Sequence, residues 1–258
     1  MIFETHAHYE DARFDGDRDV LLDQIHANGI STIVNVASSI ETTKKSIRLA
    51  EQYEYIYASI GVHPSDVKDL DEENFRWLLQ QAEHPKVVAF GEIGLDYYWE
   101  KEEKARETQR YWFRRQLQAA WETGLAAIIH SRDAAQDTLT ILKEAGERQI
   151  PGVIHCFSYS AQMAQEYVRM GYYIGIGGVV TFQNAKKLRE VAASTPIERI
   201  VLETDCPYMA PEPFRGKRNS SEYLPYIATK IAEIKGIAKQ EVIEVTRRNA
   251  SRLYHMQE

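Results

Sequence analysis

Short hydrophobic runs alternate with longer amphipathic stretches along the chain, and the pattern repeats eight times. The runs are rich in Val, Ile, Tyr and Ala and carry few charges, which is typical of parallel strands buried on both faces. The pattern predicts strands at residues 2–8, 31–37, 55–61, 87–92, 125–130, 152–156, 172–177 and 199–204.

The stretches between these runs place apolar residues at helical spacing. They predict helices at residues 17–28, 42–52, 72–81, 104–123 and 134–144. Gly29, Gly124 and Gly171 stand where a left-handed residue commonly ends a helix. The pattern therefore alternates strand and helix, with short connections.

Eight strand–helix units in 258 residues predict a (β/α)₈ barrel, and no Pro- or Ser-rich linker divides the chain. We therefore expect one domain over residues 1–258. The segment after Gly236 predicts an additional helix, which we expect to pack on the outside of the barrel. Periodicity alone leaves an open, doubly wound sheet as the alternative.

The charge balance limits the functions that are open to the protein. The 31 Lys and Arg against 38 Asp and Glu give a net charge of −7, which disfavours a protein that coats duplex DNA. Two cysteines provide no disulfide framework and favour a reducing compartment. No signal peptide or membrane span of roughly 20 apolar residues is recognisable, so we expect a cytoplasmic protein without a membrane or an obligate protein partner.

Histidines and acidic residues occur where the predicted strands end. These residues are His6, His8, Glu92, His130, His155 and Asp205. The carboxyl ends of barrel strands meet at one mouth, where barrel enzymes carry their chemistry. Imidazole and carboxylate ligands together suit Zn²⁺, Mn²⁺ or Mg²⁺, so the set predicts two divalent cations, with Glu92 as the bridging ligand.

The alternative for any one of these residues is an ordinary polar side chain. Burying six polar groups without partners would cost roughly 1–3 kcal/mol each, and a metal centre removes that cost. His26, His84 and His255 lie in predicted helices or loops and are expected at the surface. His63 follows the third strand, faces the same mouth and is expected to contact substrate.

Seven motifs along the chain carry a family resemblance. They are Glu-Thr-His-Ala-His (4–8), Gly-Val-His-Pro (61–64), Gly-Glu-Ile-Gly-Leu-Asp-Tyr (91–97), Ile-His-Ser-Arg-Asp-Ala (129–134), Ile-His-Cys-Phe (154–157), Thr-Asp-Cys-Pro-Tyr-Met-Ala-Pro (204–211) and Pro-Phe-Arg-Gly-Lys-Arg-Asn (213–219). On these motifs the sequence resembles the TatD family of metal-dependent deoxyribonucleases, which are barrels of the amidohydrolase type. Glu4 departs from the family pattern, in which Asp commonly stands at that position.

The resemblance implies a ligand set and an activity. It places one cation on His6, His8 and Asp205, a second on His130 and His155, and Glu92 on both. It also implies a 3′–5′ exonuclease that acts on single-stranded DNA. Two cations of this kind activate water and stabilise the leaving oxygen of a phosphodiester, and Asp205 is the expected acceptor of the water proton.

Substrate contacts are expected from cationic and aromatic residues near the mouth. Arg132 lies two residues after His130, and Arg215 and Arg218 belong to a basic loop after the eighth strand. Guanidinium groups match phosphate oxygens, whereas a solvated basic loop is the alternative interpretation. Residues 97–99 are aromatic and suit base stacking, although simple packing is an equal alternative. Strand alternation predicts that the thiols of Cys156 and Cys206 lie in the core.

Two other functions use the same residues. The first is hydrolysis of another ester-type bond, such as an aminoacyl-tRNA, lactone or small ester, at the same metal centre. The second is a barrel that kept its fold as a binding protein without activity. The complete ligand set disfavours the second, and the basic loop favours phosphate over other esters.

Overall fold

Eight parallel strands form one sheet whose order follows the chain, in a computed structural model that describes residues 1–146 and 151–256. They are β1 (Ile2–Ala7), β2 (Ile30–Asn35), β3 (Ile56–Ile60), β4 (Val87–Asp96), β5 (Ala126–Arg132), β6 (Gly152–Ile154), β7 (Tyr173–Ile176) and β8 (Ile200–Leu202). Just beyond β8, the backbone N–H of Asp205 donates to the carbonyl of His6 at 2.9 Å, and that of His8 to Cys206 at 2.9 Å. The sheet therefore curls back on itself, which confirms the barrel and excludes the open sheet.

Among the described residues, seven helices lie between successive strands and two more follow β8. They are α1 (Arg18–Ala27), α2 (Ile40–Gln52), α3 (Glu72–Gln81), α4 (Glu103–Thr123), α5 (Ala135–Glu144), α6 (Ala161–Arg169), α7 (Lys186–Ser194), α8 (Leu224–Lys235) and α9 (Lys239–Leu253). The side chains of Ser39 and Thr42 form a capping box at the start of α2. Gly124 ends α4 with a φ of 71°, as the sequence predicted. Along the described ranges 1–146 and 151–256, no helix has the length and apolar character to cross a membrane.

Helix α9 differs from the expected placement on the outside of the barrel. Ala250, Leu253 and the following Tyr254 pack against the inward-facing Phe3 and Val201. The hydroxyl of Tyr254 also donates to the backbone carbonyl of Thr5 at 2.9 Å. The end of α9 thus covers the barrel interior at the amino-terminal ends of the strands, because apolar interior residues there need burial. The opposite end, where the strands finish, stays open as the mouth.

Strand β4 approaches β5 so closely that two of its positions have no room for a side chain. A Cβ at Gly91 would lie 2.5 Å from Cβ of Ile128. A Cβ at Gly94, where φ is 146°, would lie 1.9 Å from the carbonyl oxygen of His130. The two glycines of the 91–97 motif therefore let Glu92 and His130 come together at the mouth.

Candidate metal centre

Three of the predicted ligands lie around the imidazole of a fourth, His6. Its Nε2 lies 3.1 Å from Nε2 of His8, 3.5 Å from Oε2 of Glu92 and 3.7 Å from Oδ1 of Asp205. His8 Nε2 lies 3.2 Å from the same Asp205 oxygen. These residues lie on or just after β1, β4 and β8, so the folded barrel brings three distant parts of the chain to one point.

Glu92 connects this group to a second one. Its Oε1 lies 2.7 Å from Nδ1 of His130 and 3.8 Å from Nε2 of His63. Nε2 of His155 lies 3.9 Å from the same oxygen and 3.7 Å from Oδ1 of Asp205. Glu92 therefore occupies the middle of the cluster, between His6 on one side and His130 on the other.

Register irregularities turn two of these side chains toward the mouth. Phe3 and Ala89 face the barrel interior. His6 lies three residues after Phe3, and Glu92 lies three residues after Ala89. Strict alternation would point them outward. The pairing register shifts between Glu4 and Ala7 in β1 and between Phe90 and Ile93 in β4, and each shift reverses the face.

Hydrogen bonds at the far side of two rings determine which nitrogen faces the cluster. Nδ1 of His8 lies 2.8 Å from the carbonyl oxygen of Val36, which only accepts, so the proton belongs on Nδ1. Nδ1 of His155 lies 3.0 Å from Oε2 of Glu203. Both imidazoles therefore direct Nε2 to the centre of the cluster. Neighbouring carboxylates raise the pKa of both rings against the effect of burial, so a cation bound there would replace a proton on Nε2.

The environment keeps the two central carboxyl groups ionised. Burial alone would raise the pKa of Glu92, but the adjacent His155 and His130 hold it well below the usual range. Burial also opposes ionisation of Asp205, whereas contact with His8 and the charge of His155 lower its pKa. Both groups are anions at neutral pH, as cation ligands must be.

The donor set fits a divalent cation. The Nδ1 proton of His8 is directed to Val36, so Nε2, which lies 3.2 Å from the acceptor Oδ1 of Asp205, needs a second proton or a cation. Two acceptors at this distance repel unless a proton or a cation lies between them. His6 Nδ1 is a buried polar atom without a hydrogen-bond partner, and the His6 ring stacks on that of His155 at 3.4 Å between centroids. A cation among Nε2 of His6, Nε2 of His8 and Oδ1 of Asp205 would relieve the repulsion.

Two acidic residues at the centre were not predicted as site residues. Asp96 Oδ2 lies 3.1 Å from Nε2 of His130; burial lowers the pKa of His130, but the contacts with Asp96 and Glu92 outweigh it and raise that pKa to about 9. Glu203 orients His155, and a Cβ at Gly175 would come within 2.3 Å of its Oε2. Both acids stand two or four residues from a predicted ligand near the end of a strand, which is a signal that sequence reasoning could have used.

A cavity of about 910 Å³ opens above the cluster. Its described lining includes His63 and Arg132, which the sequence placed at the mouth, together with Trp99 and Lys187. The guanidinium of Arg132 stacks on the exposed ring of Tyr98 at 3.9 Å. Burial and the neighbouring His130 lower the pKa of His63 to about 4, so this imidazole is neutral at pH 7.

The basic loop after β8 lies to the side of this cavity. Arg218 forms an ion pair with Asp17 at 2.6 Å, and Arg215 stacks on Phe182 at 4.3 Å. Neither residue belongs to the described lining of the cavity. A substrate contact by Arg215 or Arg218 therefore stays a prediction, and it requires a substrate long enough to extend beyond the mouth.

The expectation for Cys156 was wrong, and the two interpretations of residues 97–99 apply to different residues. Cys156 lines the cavity, because its φ of 44° breaks the alternation that predicted a core position, and burial raises the pKa of its thiol well above the usual range. Tyr97 is buried and its hydroxyl donates to Asp137 at 2.6 Å, so only the exposed rings of Tyr98 and Trp99 remain for stacking. Cys206 is buried as predicted.

Three further histidines were expected at the surface. The side chains of His26 and His255 are exposed, and that of His84 is half-buried. All three therefore lie apart from the cluster.

Comparison with known proteins places this geometry in a family. Residues 3–255 match the family model described as TatD related DNase. The chain is 43% identical to the uncharacterized metal-dependent hydrolase YabD of Bacillus subtilis, over 99% of this chain and all of the relative. It is 35% identical to the uncharacterized metal-dependent hydrolase YcfH of Escherichia coli K12, over 99% of this chain and 96% of the relative. The crystal structure of YjjV, a TatD homologue from Escherichia coli K12, superposes with a TM-score of 0.92 at 31% identity, over 99% of this chain and 98% of that one.

Proposed function

The chain belongs to the family of TatD-related DNases and is a metal-dependent hydrolase, and from this premise we propose that it removes nucleotides from the 3′ end of single-stranded DNA. The observation that carries the proposal is the convergence of imidazole and carboxylate ligands below an open cavity of about 910 Å³. The end of a single DNA strand reaches the bottom of such a cavity more easily than the middle of a duplex does.

Two divalent cations fit the cluster. His6, His8 and Asp205 would hold one, His130 and His155 would hold the other, and Glu92 lies within 4 Å of both groups. Mg²⁺, Mn²⁺ and Zn²⁺ all suit this mixture of nitrogen and oxygen donors. When bound, such cations supply an acidified water and neutralise the charge of a phosphodiester.

Asp205 is the proton acceptor in this proposal. Its carboxylate lies at the rim of the cluster with 17% of the side chain exposed, whereas Glu92 is almost completely buried. Asp205 is ionised at neutral pH for the reasons given above, so one of its oxygens accepts the proton of an attacking water molecule. Glu92 stays in place as the anion that both ligand groups share.

Cationic and aromatic side chains at the rim of the cavity would bind the DNA strand. Arg132 and Lys187 line the cavity, and their charges attract phosphate in a chain that is otherwise acidic. Trp99 is 70% exposed and lies beside Arg132, which is an arrangement suited to stacking a base. In this proposal Arg215 and Arg218 meet the strand farther from its 3′ end.

The test uses single-stranded oligonucleotides labelled at the 5′ or the 3′ end. Purified protein is incubated with Mg²⁺, Mn²⁺ or EDTA, and Asp205→Asn is compared with Asp23→Asn, which removes the same charge from the exposed face of α1. We expect stepwise shortening from the 3′ end with a cation, and loss of turnover by at least about 100-fold in Asp205→Asn alone. Circular dichroism melts check that both variants fold.

Two results would count against the proposal. Shortening from the 5′ end would show that the protein is an exonuclease of the opposite polarity. Absence of cleavage in protein that holds its cations would favour the hydrolysis of another ester, which aminoacyl-tRNA and lactone substrates then test.

A further inference from the structure

His63 has a hydrogen-bond partner at Nδ1 that is opposite in kind to the partners of His8 and His155. The backbone N–H of Ser65 donates to Nδ1 of His63 at 3.2 Å. An amide N–H never accepts, so Nδ1 of His63 must carry the lone pair. A neutral imidazole has one proton, which therefore lies on Nε2.

The protonated nitrogen of His63 faces the metal centre. Nε2 lies 3.8 Å from Oε1 of Glu92, and the ring contacts that of His130 edge to face at 4.4 Å between centroids. A separation of 3.8 Å is too long for a hydrogen bond, so the Nε2 proton is not consumed by Glu92. His63 lines the open cavity, where an arriving oxygen atom can accept this proton in a hydrogen bond.

The backbone holds the ring in this position. The N–H of His63 donates to the carbonyl of Ser38 at 2.8 Å, and the carbonyl of His63 accepts from Asp66 at 2.8 Å. The imidazole of His63 is 17% exposed and lies between Ser65 and the cluster. A turn of the ring that offered a lone pair to the cluster would break the bond from Ser65. The position is therefore built for a donor that needs no rearrangement.

We propose that His63 is a catalytic residue that donates a hydrogen bond from Nε2 to a phosphoryl oxygen of the substrate and does not bind a cation. The proposal rests on the proposed phosphodiesterase function and gives His63 a role within it. No proton is transferred in this step, since a neutral donor stabilises the negative charge that grows on the oxygen as the water attacks. Glu92 and His130 are close enough to His63 for the three to hold a cation together, but His8 and His155 direct Nδ1 at an oxygen acceptor, whereas Nδ1 of His63 meets an N–H donor.

The first arm of the test reads the tautomer without any substrate. Protein labelled with ¹⁵N at histidine is loaded with diamagnetic Zn²⁺ or Mg²⁺, and the ring nitrogens are observed by long-range ¹H–¹⁵N correlation. The resonances of His63 are those missing from the spectrum of His63→Gln. We expect the proton of His63 to be on Nε2. We also expect Nε2 to keep this proton when the cation is added. A proton on Nδ1 would overturn the proposal.

The second arm separates a donor from a ligand. His63→Ala should lower kcat by roughly 100- to 1,000-fold, as the loss of one preorganised donor does, while the number of cations bound per chain stays the same. His63→Gln keeps an N–H donor and should recover at least tenfold of that loss. His26→Gln alters an exposed histidine on α1 and should change neither quantity.

The results also separate this inference from the function on which it rests. If His63→Ala loses a cation, or keeps its full kcat in a wild-type enzyme that cuts DNA, the inference alone is wrong. If the wild type cleaves neither DNA nor bis(4-nitrophenyl) phosphate, the proposed function fails and the phosphoryl role of His63 fails with it. The Nε2 tautomer is then still measured, because the first arm needs no turnover.

Discussion

Nδ1 of His155 lies 3.0 Å from Oε2 of Glu203, and this contact directs the other nitrogen of the ring to the candidate metal centre. Glu203 also accepts a hydrogen bond from the backbone N–H of Cys156 at 2.6 Å. The carboxylate occupies space that exists because residue 175 is glycine. One buried acid therefore orients a candidate ligand that lies 48 residues away in the chain.

Replacing Glu203 should weaken the cation site without removing a ligand. In Glu203→Gln the amide accepts less strongly from His155, so the imidazole is a poorer and less well oriented donor to the cation. We expect cation affinity to fall about 10- to 100-fold, measured by titration calorimetry with Mn²⁺. Glu190→Gln, an exposed change on α7, is the matched control. Equal affinities for the two variants would remove Glu203 from this role.

Arg132 and Arg218 should differ in their effect on DNA binding. Arg132 lines the cavity, whereas the charge of Arg218 is already paired with Asp17 at 2.6 Å. Arg132→Gln should raise KM for single-stranded DNA and lower the slope of log affinity against log salt by about 1. Arg218→Gln should change the slope less, because part of its charge is neutralised in the free protein. A larger change of slope in Arg218→Gln than in Arg132→Gln, measured across a salt series, would show that the DNA strand lies on the basic loop.

The close contact between β4 and β5 predicts a cost for any side chain at residue 91. A Cβ there would lie 2.5 Å from Cβ of Ile128, and neither strand can move without disturbing Glu92. Gly91→Ala should lower the free energy of unfolding by roughly 1–3 kcal/mol. Gly16→Ala is the control, since nothing lies within 4 Å of its added Cβ. Urea unfolding compares them, and similar midpoints would show that the strands yield easily.

Glu4 should make stability depend on pH. Burial raises its pKa to about 7, against hydrogen bonds from Thr204, His6 and Ser221 that lower it. Because the folded pKa is above the unfolded value of about 4.5, the stabilisation is complete below pH 4.5 and is lost as pH rises to 7. Relative to Glu4→Gln, the metal-free protein should lose about 3 kcal/mol of unfolding free energy over that interval. A difference between the two proteins that stays constant from pH 4.5 to 7.5 would contradict the prediction.

Much of the barrel follows from local pattern. The predicted strands at 2–8 and 87–92 and the predicted helix at 104–123 match β1, β4 and α4 at their starts to within a residue. Hydrophobic periodicity and helix-ending glycines act over a few neighbouring residues, so the sequence alone contains them. The rule that parallel strands finish at one mouth then brings the predicted ligands together without further information.

The arrangement within the mouth depends on parts of the chain that are far apart in sequence. The register shifts in β1 and β4 turn His6 and Glu92 to the inner face of the barrel. Local periodicity does not predict where the pairing register of two strands shifts. The ion pair of Arg218 with Asp17 spans 201 positions, and it changes how a basic loop should be interpreted.

The tautomers of the histidines were decided in the same way. An imidazole is the same residue in any sequence, but a carbonyl beside His8 and an amide N–H beside His63 place their protons on opposite nitrogens. The sequence by itself determined the strands, the helices and the kinds of side chain at the mouth. The tertiary structure alone decided which atoms of those residues face the centre, because hydrogen bonds and close packing form between whichever segments the fold brings together.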